Sequence, residues 1–429
     1  MSPHQPTSRP AAGAPGVPWN RQRLRSNNEW LLLELLRTGG GTSRAQLARD
    51  TGLSKPTVSA ALAELEQAGL VREAGRVAPE RGRTAVLYEV DPTAGHVLGV
   101  DIGRARLRVA VADLAGTVVA RRDVANRGRT ADAVAEAVVA AAREATAEAG
   151  LDAADIVHAV IGTPGVWDEE RRGVRYATSL PGWGRPGLFD RIGEGLGTAV
   201  TVANDANLAA LGEYTLGAGR GSRMFAYLLV GTGLGLGVVK DGELLLGAHG
   251  GLGEIGLVPL PAFVGGPGDG PGGPGGQAVP SGGPGESGEP GGTTLEQEAA
   301  ADAVVRAARE FGLEEPGGKR LTAKRVFERA RSGDAAALRA VRWEAERLAY
   351  AVAVLSAVLD PDLLVLGGGI GSSADLLLEP LEQALRRFAP MRPTLAPSLL
   401  GEEAVLLGAV STALETARPE VFERRTAQL

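Results

Sequence analysis

The sequence predicts an α/β protein in which a small helical head precedes a two-lobed body. Three observations support this fold class. Short helical patterns fill the first 90 residues, a strand-rich pattern begins at His96, and a similar strand-rich pattern begins again at Met224. With 429 residues the chain is long enough for two or three domains, and its hydrophobic and charged fractions of 44% and 22% are those of a globular protein.

The composition excludes several kinds of site. Cysteine is absent, which excludes disulfides and thiolate metal sites, and no two of the four histidines have metal-ligand spacing. Residues 1–20 lack the apolar run of a signal peptide and are expected to be a disordered tail. The longest apolar stretch, Leu348–Leu359, is too short to span a bilayer. We therefore expect a cytoplasmic protein with no bound metal and no membrane partner.

Charge is distributed unevenly along the chain. The first 90 residues contain 12 Lys and Arg against 8 Asp and Glu, whereas the remainder contains 33 against 43. A basic head on an acidic body is typical of a head that meets nucleic-acid phosphate. A small excess of arginine can also be without function.

Two helices are predicted at the start of the head. Apolar residues of Asn27–Arg37 lie on one helical face, and three glycines follow them. The second helix begins after Ser43, a suitable N-cap, with Gln46 placed to close a capping box. Its inward-facing residues are predicted to be Ala45, Leu47 and Ala48.

A third helix has the pattern of a DNA recognition helix. Ser54 is a suitable N-cap, and Pro56 suits a first helical turn. Apolar residues at helical spacing face inward, which leaves polar residues facing outward near the N-terminus, where such a helix touches bases and phosphates. The candidate DNA contacts on this helix are Ser54, Lys55, Thr57 and Ser59.

A basic hairpin completes the head. Two β-like runs, Leu70–Ala74 and Thr84–Val90, are joined by a loop that contains Arg76, Arg81 and Arg83. This pattern indicates a wing whose basic tip reaches a groove or the DNA backbone. Any short three-helix unit shares part of the pattern, but the order of elements favours a winged helix-turn-helix DNA-binding domain over residues 21–90.

The first half of the body alternates strands with helices. A buried strand in HVLGVDIG is followed by a hairpin that turns at Ala115-Gly116, and then by an alanine-rich helix over Thr130–Ala149. Later runs predict a strand in IVHAVIGTPG, a helix in LFDRIGEGLG, a strand in AVTVAND and a helix in ANLAALGEYTLG.

The second half repeats this plan. Three strands are predicted in MFAYLLVGTG, LGLGVVKDG and ELLLGAHG, followed by a helix over Asp334–Leu359, a strand in LLVLGGGI and a helix in SADLLLEPLEQALRRFA. A last short strand and helix fall within Ala404–Ala417. Two halves of this kind predict two lobes with a cleft between them, over residues 96–417.

A low-complexity segment interrupts the second half at residues 265–292. Half of its residues are glycine and six are proline, so it has little to bury. We expect a flexible surface insertion, with a functional lid as the alternative.

Two loops that follow strands are candidates for phosphate binding. Asp101 and Gly103 follow the first strand of the body, where an Asp can help to position a metal–nucleotide. Gly231, Thr232 and Gly233 follow the first strand of the second half. Backbone N–H groups in such a loop can cradle phosphate because glycine allows close approach.

Polar side chains at other loop positions are candidates for sugar binding. Asn204 and Asp205 come at the carboxyl end of a strand, where open α/β sheets bind ligands, and Asp205 can act as general base on a sugar hydroxyl. Both residue types are also preferred helix N-caps, and position alone does not separate the two interpretations. Glu254 lies in a glycine-rich loop, where it can accept two sugar hydroxyls or be an ordinary solvated glutamate.

Together these motifs resemble the ROK family, which contains repressors and sugar kinases with an actin-like, ribonuclease-H-like duplicated fold. The resemblance covers nearly the whole chain from Arg21, since SRAQLARDTGLSKPTVSAALAELEQAGLV is similar to the winged helix of many bacterial repressors. The body motifs that carry it are LGVDIG, IGTPGVWD, LPGW, VANDANLAALGE, GTGLGLGVVKDGELLLGAHGGLGEIGLVPL, TTLEQEAA and DLLVLGGGI. The resemblance implies that Asn204, Asp205, Glu254 and Glu296 bind sugar, with Asp205 the catalytic base in a kinase member.

The chain departs from the family pattern around this site. Arg104 and Arg106 replace small or hydroxyl residues of the first phosphate loop, which argues against ATP binding. Leu257 replaces a histidine, and the insertion replaces a cysteine cluster, so the zinc site is lost. Ser179 stands where an asparagine usually helps to hold sugar. We interpret the phosphate loops as vestigial and expect neither zinc nor ATP as cofactor, with neutral losses in an active kinase as the alternative.

Two functions from different classes follow from the sequence. The first is a DNA-binding transcriptional regulator of sugar metabolism or transport genes, with a repressor favoured over an activator and a non-catalytic body that senses a sugar or sugar phosphate. The second is an ATP-dependent, glucokinase-like sugar kinase with a DNA-binding head. A third possible function is a regulator whose DNA binding is controlled by a protein partner. Because one head reads one half-site, we expect a DNA operator, an effector, and a homodimer or dimer of dimers.

Overall fold

The architecture comes from a computed structural model of the chain. It describes residues 21–77, 84–176, 182–259, 293–315, 317 and 320–427. The predicted tail at residues 1–20, the insertion at residues 265–292, and the candidate residues Arg81, Arg83 and Ser179 lie outside this part of the chain. Of the helices that the structure describes, none has the length and apolar character to cross a membrane.

The head combines three helices with a small antiparallel sheet, as predicted for a winged helix-turn-helix. The sheet has the strand order β1-β3-β2, in which β2 and β3 form the hairpin of the wing. The elements are α1 (Arg21–Gly39), β1 (Thr42–Ser43), α2 (Arg44–Thr51), α3 (Lys55–Gln67), β2 (Val71–Val77) and β3 (Ala85–Val90).

Two details of α2 differ from the prediction. Ser43 is the N-cap and its side chain accepts from Gln46 N, but the Gln46 side chain donates to Asp50 at 2.6 Å, so only half of the capping box forms. Ala45 is exposed, whereas Leu47 is buried. Two residues correspond to about 200° around a helix axis, so in this short helix Ala45 lies on the side opposite Leu47.

The first lobe is a five-stranded sheet with helices packed against it. Its order is β10-β7-β4-β5-β6. The elements are β4 (His96–Ile102), β5 (Arg106–Asp113), β6 (Val118–Ala125), α4 (Ala131–Glu148), β7 (Ile156–Thr163), β8 (Val166–Asp168), β9 (Gly173–Arg175), α5 (Leu188–Leu196), β10 (Ala199–Asn204) and α6 (Asp205–Leu216).

The second lobe contains a sheet of the same size, in the order β13-β12-β11-β14-β15. The elements are β11 (Met224–Val230), β12 (Leu234–Lys240), β13 (Glu243–Leu244), α7 (Leu295–Ala299), α8 (Ala301–Glu310), α9 (Ala323–Arg331), α10 (Ala335–Leu359), β14 (Leu363–Gly367), α11 (Gly368–Gly371), α12 (Ala374–Phe388) and β15 (Thr394–Pro397). The last helix, α13 (Ala404–Thr426), returns to the first lobe and packs against β4 and β7.

The strand orders confirm the predicted duplication. In each lobe the first three strands form an antiparallel meander, and the fourth and fifth strands run parallel to the first. Because the carboxyl ends of parallel strands meet at one edge of a sheet, each lobe has a single edge at which polar loops collect.

The strand predicted in ELLLGAHG is mostly wrong. Only Glu243 and Leu244 pair with β12, and the chain then leaves the sheet. Gly247 and Gly250 follow with φ angles of +73° and +71°, a left-handed conformation that does not continue a strand.

The end of the chain also differs from the prediction. Residues 404–417 contain no strand, and α13 passes the expected end at Ala417 and continues to Thr426 with Pro419 inside it. Val421 and Phe422, which follow the proline, are 0% and 7% exposed. Their burial favours continuation of the helix over the stop that proline usually imposes.

Helix α13 packs closely against α6, the helix that begins at Asp205. A Cβ at Gly408 would lie 1.8 Å from Leu208 O, and a Cβ at Gly212 would lie 2.4 Å from Ala404 O, so only glycine permits this crossing. The hydrophobic core of the head continues into these two helices without a break. That core includes Leu62, Tyr88, Leu208, Val410 and Val421.

Candidate ligand cleft and DNA-binding surface

The N-terminal half of α3 carries the predicted DNA contacts. Ser54 precedes the helix, and its Oγ accepts from Thr57 N at 3.3 Å and lies 2.8 Å from Thr57 Oγ1. Lys55 is exposed, and Thr57 and Ser59 are half-buried. The opposite face is fully buried through Val58, Leu62 and Leu65. The start of α3 is therefore open to a partner on its polar side, and Ser54 also has a capping role.

The wing extends away from the core of the head. Every residue of β2 after Val71 is exposed, including Arg76, which pairs with Val86 of β3 in the hairpin register. Arg81 and Arg83 lie outside the described residues. The prediction that Arg76 lies in the loop is wrong, because β2 continues to Val77 and its pairing with β3 includes Arg76.

Asn204 and Asp205 meet at the junction of β10 and α6, and the structure separates their roles. Asn204 is the N-cap: its Oδ1 accepts from Asn207 N at 3.1 Å, and its Nδ2 donates to Gly165 O at 3.1 Å. Asp205 is the first residue of the helix, half-buried, with Oδ1 accepting from Ala206 N at 2.8 Å. The N-cap interpretation therefore applies to Asn204 and not to Asp205.

Glu254 and Glu296 belong to the second lobe, and both are half-buried. The Glu296 Oε2 accepts from Leu234 N at 3.0 Å, which ties α7 to the loop that precedes β12. A Cβ at Gly233 would lie 2.8 Å from Glu296 Oε2, and a Cβ at Gly256 would lie 3.2 Å from Glu296 Cβ. These two glycines make room for the carboxylate between two loops.

The carboxylates of the two lobes influence one another. Burial raises the pKa of Asp205 to about 7, and the charges of Asp101 and Glu254 also raise it. Burial raises the pKa of Glu254, with a further contribution from Glu296. Asp101 and Asp205 come from the first lobe, and Glu254 and Glu296 from the second, so acidic groups of the two lobes lie close enough for their charges to interact. Carboxyls held against their ionisation in a cleft are typical of functional sites.

Asp101 is already engaged by an arginine. It is 5% exposed, and its Oδ2 lies 3.0 Å from Arg108 Nη1, which stands directly opposite in the β4–β5 register. The Arg108 guanidinium also bonds to Glu402. Burial raises the pKa of Asp101 to about 6, although Arg108 opposes this. The carboxylate expected to position a metal–nucleotide is thus held in an ion pair, with a partner that sequence reasoning missed.

The loop after β4 places its two arginines differently. Gly103 N donates to Arg106 O at 2.9 Å, which closes the loop tightly. The Arg106 guanidinium turns away toward Asp123 of β6 at 2.6 Å. Arg104 instead lines a cleft formed with α8 of the second lobe. Of the two departures from the family pattern, Arg104 is the one whose side chain lines this cleft beside α8.

The matching loop of the second lobe connects β11 to β12. Gly231 N donates to Gly233 O at 2.9 Å, and Gly231 O accepts from Ala301 N at 2.9 Å, which fixes the loop to the start of α8. Thr232 is exposed. A Cβ at Gly231 would come no closer than 3.8 Å to any atom, namely Gly369 N, so this part of the backbone is accessible. The loop keeps an open backbone of the kind that can approach a phosphate.

The residues of this cleft do not fit the zinc that the family resemblance implies. The chain has no cysteine, and Leu257 is an apolar side chain, 44% exposed, close behind Glu254. The chain therefore has no cysteine ligand for zinc, and Leu257 has no atom that can coordinate it. In the described parts of the chain, no three His, Cys, Asp or Glu side chains are grouped so as to hold a metal ion.

The last turns of α13 reach the head. The Phe422 ring packs edge-on against Trp30 of α1, with centroids 5.2 Å apart. Arg425 donates to Ala68 O, at the C-terminus of α3, at 3.2 Å, and to Ala94 O at 2.5 Å. A cation there stabilises the last carbonyls of the recognition helix. Sequence reasoning missed these residues because it ended the helix too early.

Comparison with known families gives a match for each part of the chain. The profile of the ROK family matches residues 97–416, about three quarters of the chain, and the profile of the MarR family matches residues 25–83.

Curated relatives include both enzymes and repressors. The glucokinase of Halalkalibacterium halodurans is 30% identical over 302 residues, which cover 68% of this chain and 86% of the relative. The xylose repressor of Caldicellulosiruptor bescii is 25% identical over 403 residues, which cover 91% of this chain and 96% of the relative. Of these two, only the repressor alignment is long enough to include both head and body.

Solved structures show the same division. A ROK family glucokinase from Streptomyces griseus, in complex with glucose and AMPPNP, aligns with a TM-score of 0.62 at 29% identity, covering 75% of this chain and 100% of that one. A ROK family transcriptional regulator, described as a homologue of the E. coli MLC protein, aligns with a TM-score of 0.71 at 23% identity, covering 95% and 100%. The second comparison supports a shared fold for the whole described architecture.

Proposed function

The chain belongs to the ROK family, and from that premise we propose that it is a DNA-binding transcriptional repressor of sugar metabolism or transport genes. Its kinase-like body would bind a sugar or sugar phosphate as effector. The observation that carries this proposal is the path of α13, which packs along α6 beyond Asp205 and reaches the end of the recognition helix through Arg425. The likeness to xylose repressors over both head and body supports it.

In the cleft, the sugar contacts are assigned to Asn204, Asp205, Glu254 and Glu296. Carboxylate oxygens accept hydrogen bonds from hydroxyl groups, and those bonds are stronger when the acceptor is charged. A sugar that donates to Asp205 and Glu254 would add hydrogen bonds that favour the charged form of both carboxyls. Binding would therefore lower the pKa of both groups, and Asp205 would release a proton near neutral pH.

On the DNA side, α3 enters the major groove with Ser54, Lys55, Thr57 and Ser59 at its leading end. The wing arginines Arg76, Arg81 and Arg83 contact the DNA backbone or the neighbouring groove. One head covers one half-site, so the active form is a homodimer or a dimer of dimers on a pseudo-palindrome. A repressor works where the chromosome is, which places the protein in the cytoplasm.

The ligand regulates DNA binding by favouring one arrangement of head and body. An effector changes DNA affinity only if it has different affinities for the two arrangements. Helix α13 offers a continuous packed connection for such a difference, because it touches α6 at one end and α1 and α3 at the other. A shift of α6 around a bound sugar would move the support of the recognition helix.

Sugar kinase activity is the second candidate, and one observation favours it. A pKa of about 7 suits Asp205 to act as general base on a sugar hydroxyl at neutral pH. Against it stand the Asp101–Arg108 ion pair and Arg104 in the cleft. We propose a body without catalysis. A coupled ATP-consumption assay over a sugar panel tests this, and turnover that disappears in Asp205→Asn would establish the kinase instead.

DNA binding itself is tested on a fragment of the gene's own promoter. The full chain should retain the fragment in a mobility-shift assay, and a chain without residues 1–90 should not. Circular dichroism on the truncated chain checks that the body remains folded. Retention of the fragment by a folded body alone would refute the assignment of the head.

A further inference from the structure

A cleft lined by arginines lies beside the two candidate phosphate loops, which follow β4 and β11. No function has yet been assigned to this cleft. It has a volume of about 560 Å³ and lies between the loop after β4 and helix α8 of the second lobe. Its charged lining residues are Arg104, Asp302, Arg306, Arg309, Glu310 and Arg320. Four arginines against two acidic residues give this cleft a positive charge, although the body as a whole is acidic.

Three of the arginines are free to bind a ligand. Arg306 is engaged, with Nη2 2.8 Å from Glu298 Oε1 and 3.2 Å from Gln297 O. Arg104, Arg309 and Arg320 are exposed, and none forms an ion pair or a side-chain hydrogen bond with a residue that the structure describes. A cavity lined by three such arginines, from two lobes, has the donors for an anion.

The cleft adjoins the sugar carboxylates through the loop between β11 and β12. At one end of this loop, Leu234 N donates to Glu296 Oε2 at 3.0 Å. At the other end, Gly231 O accepts from Ala301 N, the first residue of α8, which lines the cleft. Three peptide units separate the two positions, a span of roughly 10 Å at most. The arginine-lined cleft therefore begins one short loop away from Glu296.

We infer that the arginine-lined cleft binds a phosphoryl group, and that the effector is a phosphorylated sugar with its hydroxyls at the carboxylates and its phosphate at Arg104, Arg309 and Arg320. The inference rests on the proposed function, because it places the effector in the same interlobe site. Guanidinium matches phosphate with two parallel N–H donors, whereas a free sugar would leave these arginines unused. Arg104 then adds a contact to the anion, in addition to replacing a residue of the kinase phosphate loop.

Isothermal titration calorimetry on the full chain tests this with defined ligands. The panel consists of glucose, xylose, glucose 6-phosphate, xylose 5-phosphate, ATP, inorganic phosphate and pyrophosphate. The variants are Arg104→Gln, Arg309→Gln, Arg320→Gln and their combination. Arg392→Gln is the matched control, since Arg392 is exposed on the same lobe but does not line the cleft.

We expect a phosphorylated sugar to bind at least about tenfold more tightly than its parent sugar, because charge-assisted hydrogen bonds are among the stronger polar contacts. Each substitution should lower the affinity of the phosphorylated ligand by about tenfold, leave that of the free sugar unchanged, and weaken the salt dependence. The control should behave as the native chain. If only ATP shows this dependence on the arginines, the cleft binds the phosphoryl group of a nucleotide and not that of a sugar.

Three results would overturn the inference: equal affinity for phosphorylated and free sugars, a phosphate preference that survives the triple substitution, or no binding by any phosphorylated or inorganic phosphate ligand. Failure of the proposed function is read separately, from promoter binding. If free sugars release the promoter and no phosphoryl ligand binds, the phosphate site is refuted and the proposed repressor function stands. If the chain binds phosphate through the arginines but does not bind its promoter, the repressor function is refuted and the phosphate site stands.

Discussion

Asp205→Asn should make the protein more stable at neutral pH, although it removes a central group of the site. Burial raises the pKa of Asp205 from 3.8 to about 7, so between these values the folded chain holds a proton that the unfolded chain has lost. Stability therefore falls as the pH rises through this window, and the contribution levels off above pH 7. Asparagine keeps the shape of the side chain without the buried charge.

The size of the effect follows from the shift. A difference of about three pKa units corresponds to about 4 kcal/mol at pH 8. Asparagine still offers an oxygen to Ala206 N, but a neutral acceptor is weaker by about 1 kcal/mol, which leaves a net gain of about 3 kcal/mol. At pH 5 the gain should be smaller by about 2 to 3 kcal/mol, since Asp205 is then protonated in the folded chain.

Urea unfolding followed by circular dichroism at pH 5 and pH 8 measures both quantities. Asp375→Asn is the control with the opposite sign, because the hydrogen bond from Arg331 lowers the pKa of Asp375, and its loss should cost stability at pH 8. An Asp205→Asn chain that is no more stable than the native chain at pH 8, or equally stabilised at both pH values, would refute the electrostatic description of the cleft.

Three further predictions concern the path from the cleft to DNA. Arg425→Ala removes the hydrogen bonds to the end of α3. The effect of ligand on DNA affinity, measured by fluorescence anisotropy, should then fall at least about threefold while ligand affinity stays unchanged. Arg424→Ala, at an exposed neighbouring position, should retain the effect. Lys55→Ala should weaken promoter binding and reduce the slope of log K against log salt by about one, and Lys324→Ala on the body should change neither. Gly408→Ala should lower the free energy of unfolding by about 2 kcal/mol or more, because its Cβ would lie 1.8 Å from a backbone oxygen of α6. Unchanged urea unfolding in that variant would contradict the α6–α13 crossing.

The elements that the sequence predicted correctly are those fixed by local patterns. The strands of both lobes alternate or form apolar runs, and their hairpins turn at glycine. Ser54 caps α3 because a serine hydroxyl can accept from a backbone N–H three residues on, whatever the rest of the fold does. The duplicated topology follows from the repeated order of these patterns.

The features that it missed depend on contacts between distant residues. Pro419 is a local stop signal, and the helix continues only because Phe422 is buried against Trp30, nearly 400 residues away along the chain. Arg108 pairs with Asp101 through the register of two strands, which composition does not reveal.

The candidate site shows the same limit. Asn204 and Asp205 are adjacent polar residues at a helix start, and only the hydrogen bonds show that Asn204, and not Asp205, is the N-cap. Arg104 stood out as a departure from a family pattern, yet its meaning depends on Arg309 and Arg320, which the fold brings to the same cleft.

The central claim is that a ligand in the cleft changes the affinity of the head for DNA, and one measurement tests it most directly. Fluorescence anisotropy of a labelled promoter fragment gives the Kd of the full chain with and without each ligand that binds in calorimetry. We predict that the effector changes this Kd by at least about fivefold, and that Asp205→Asn binds DNA normally but loses the response. A Kd that no bound ligand alters, or an Asp205→Asn chain that responds as the native chain does, would contradict the account.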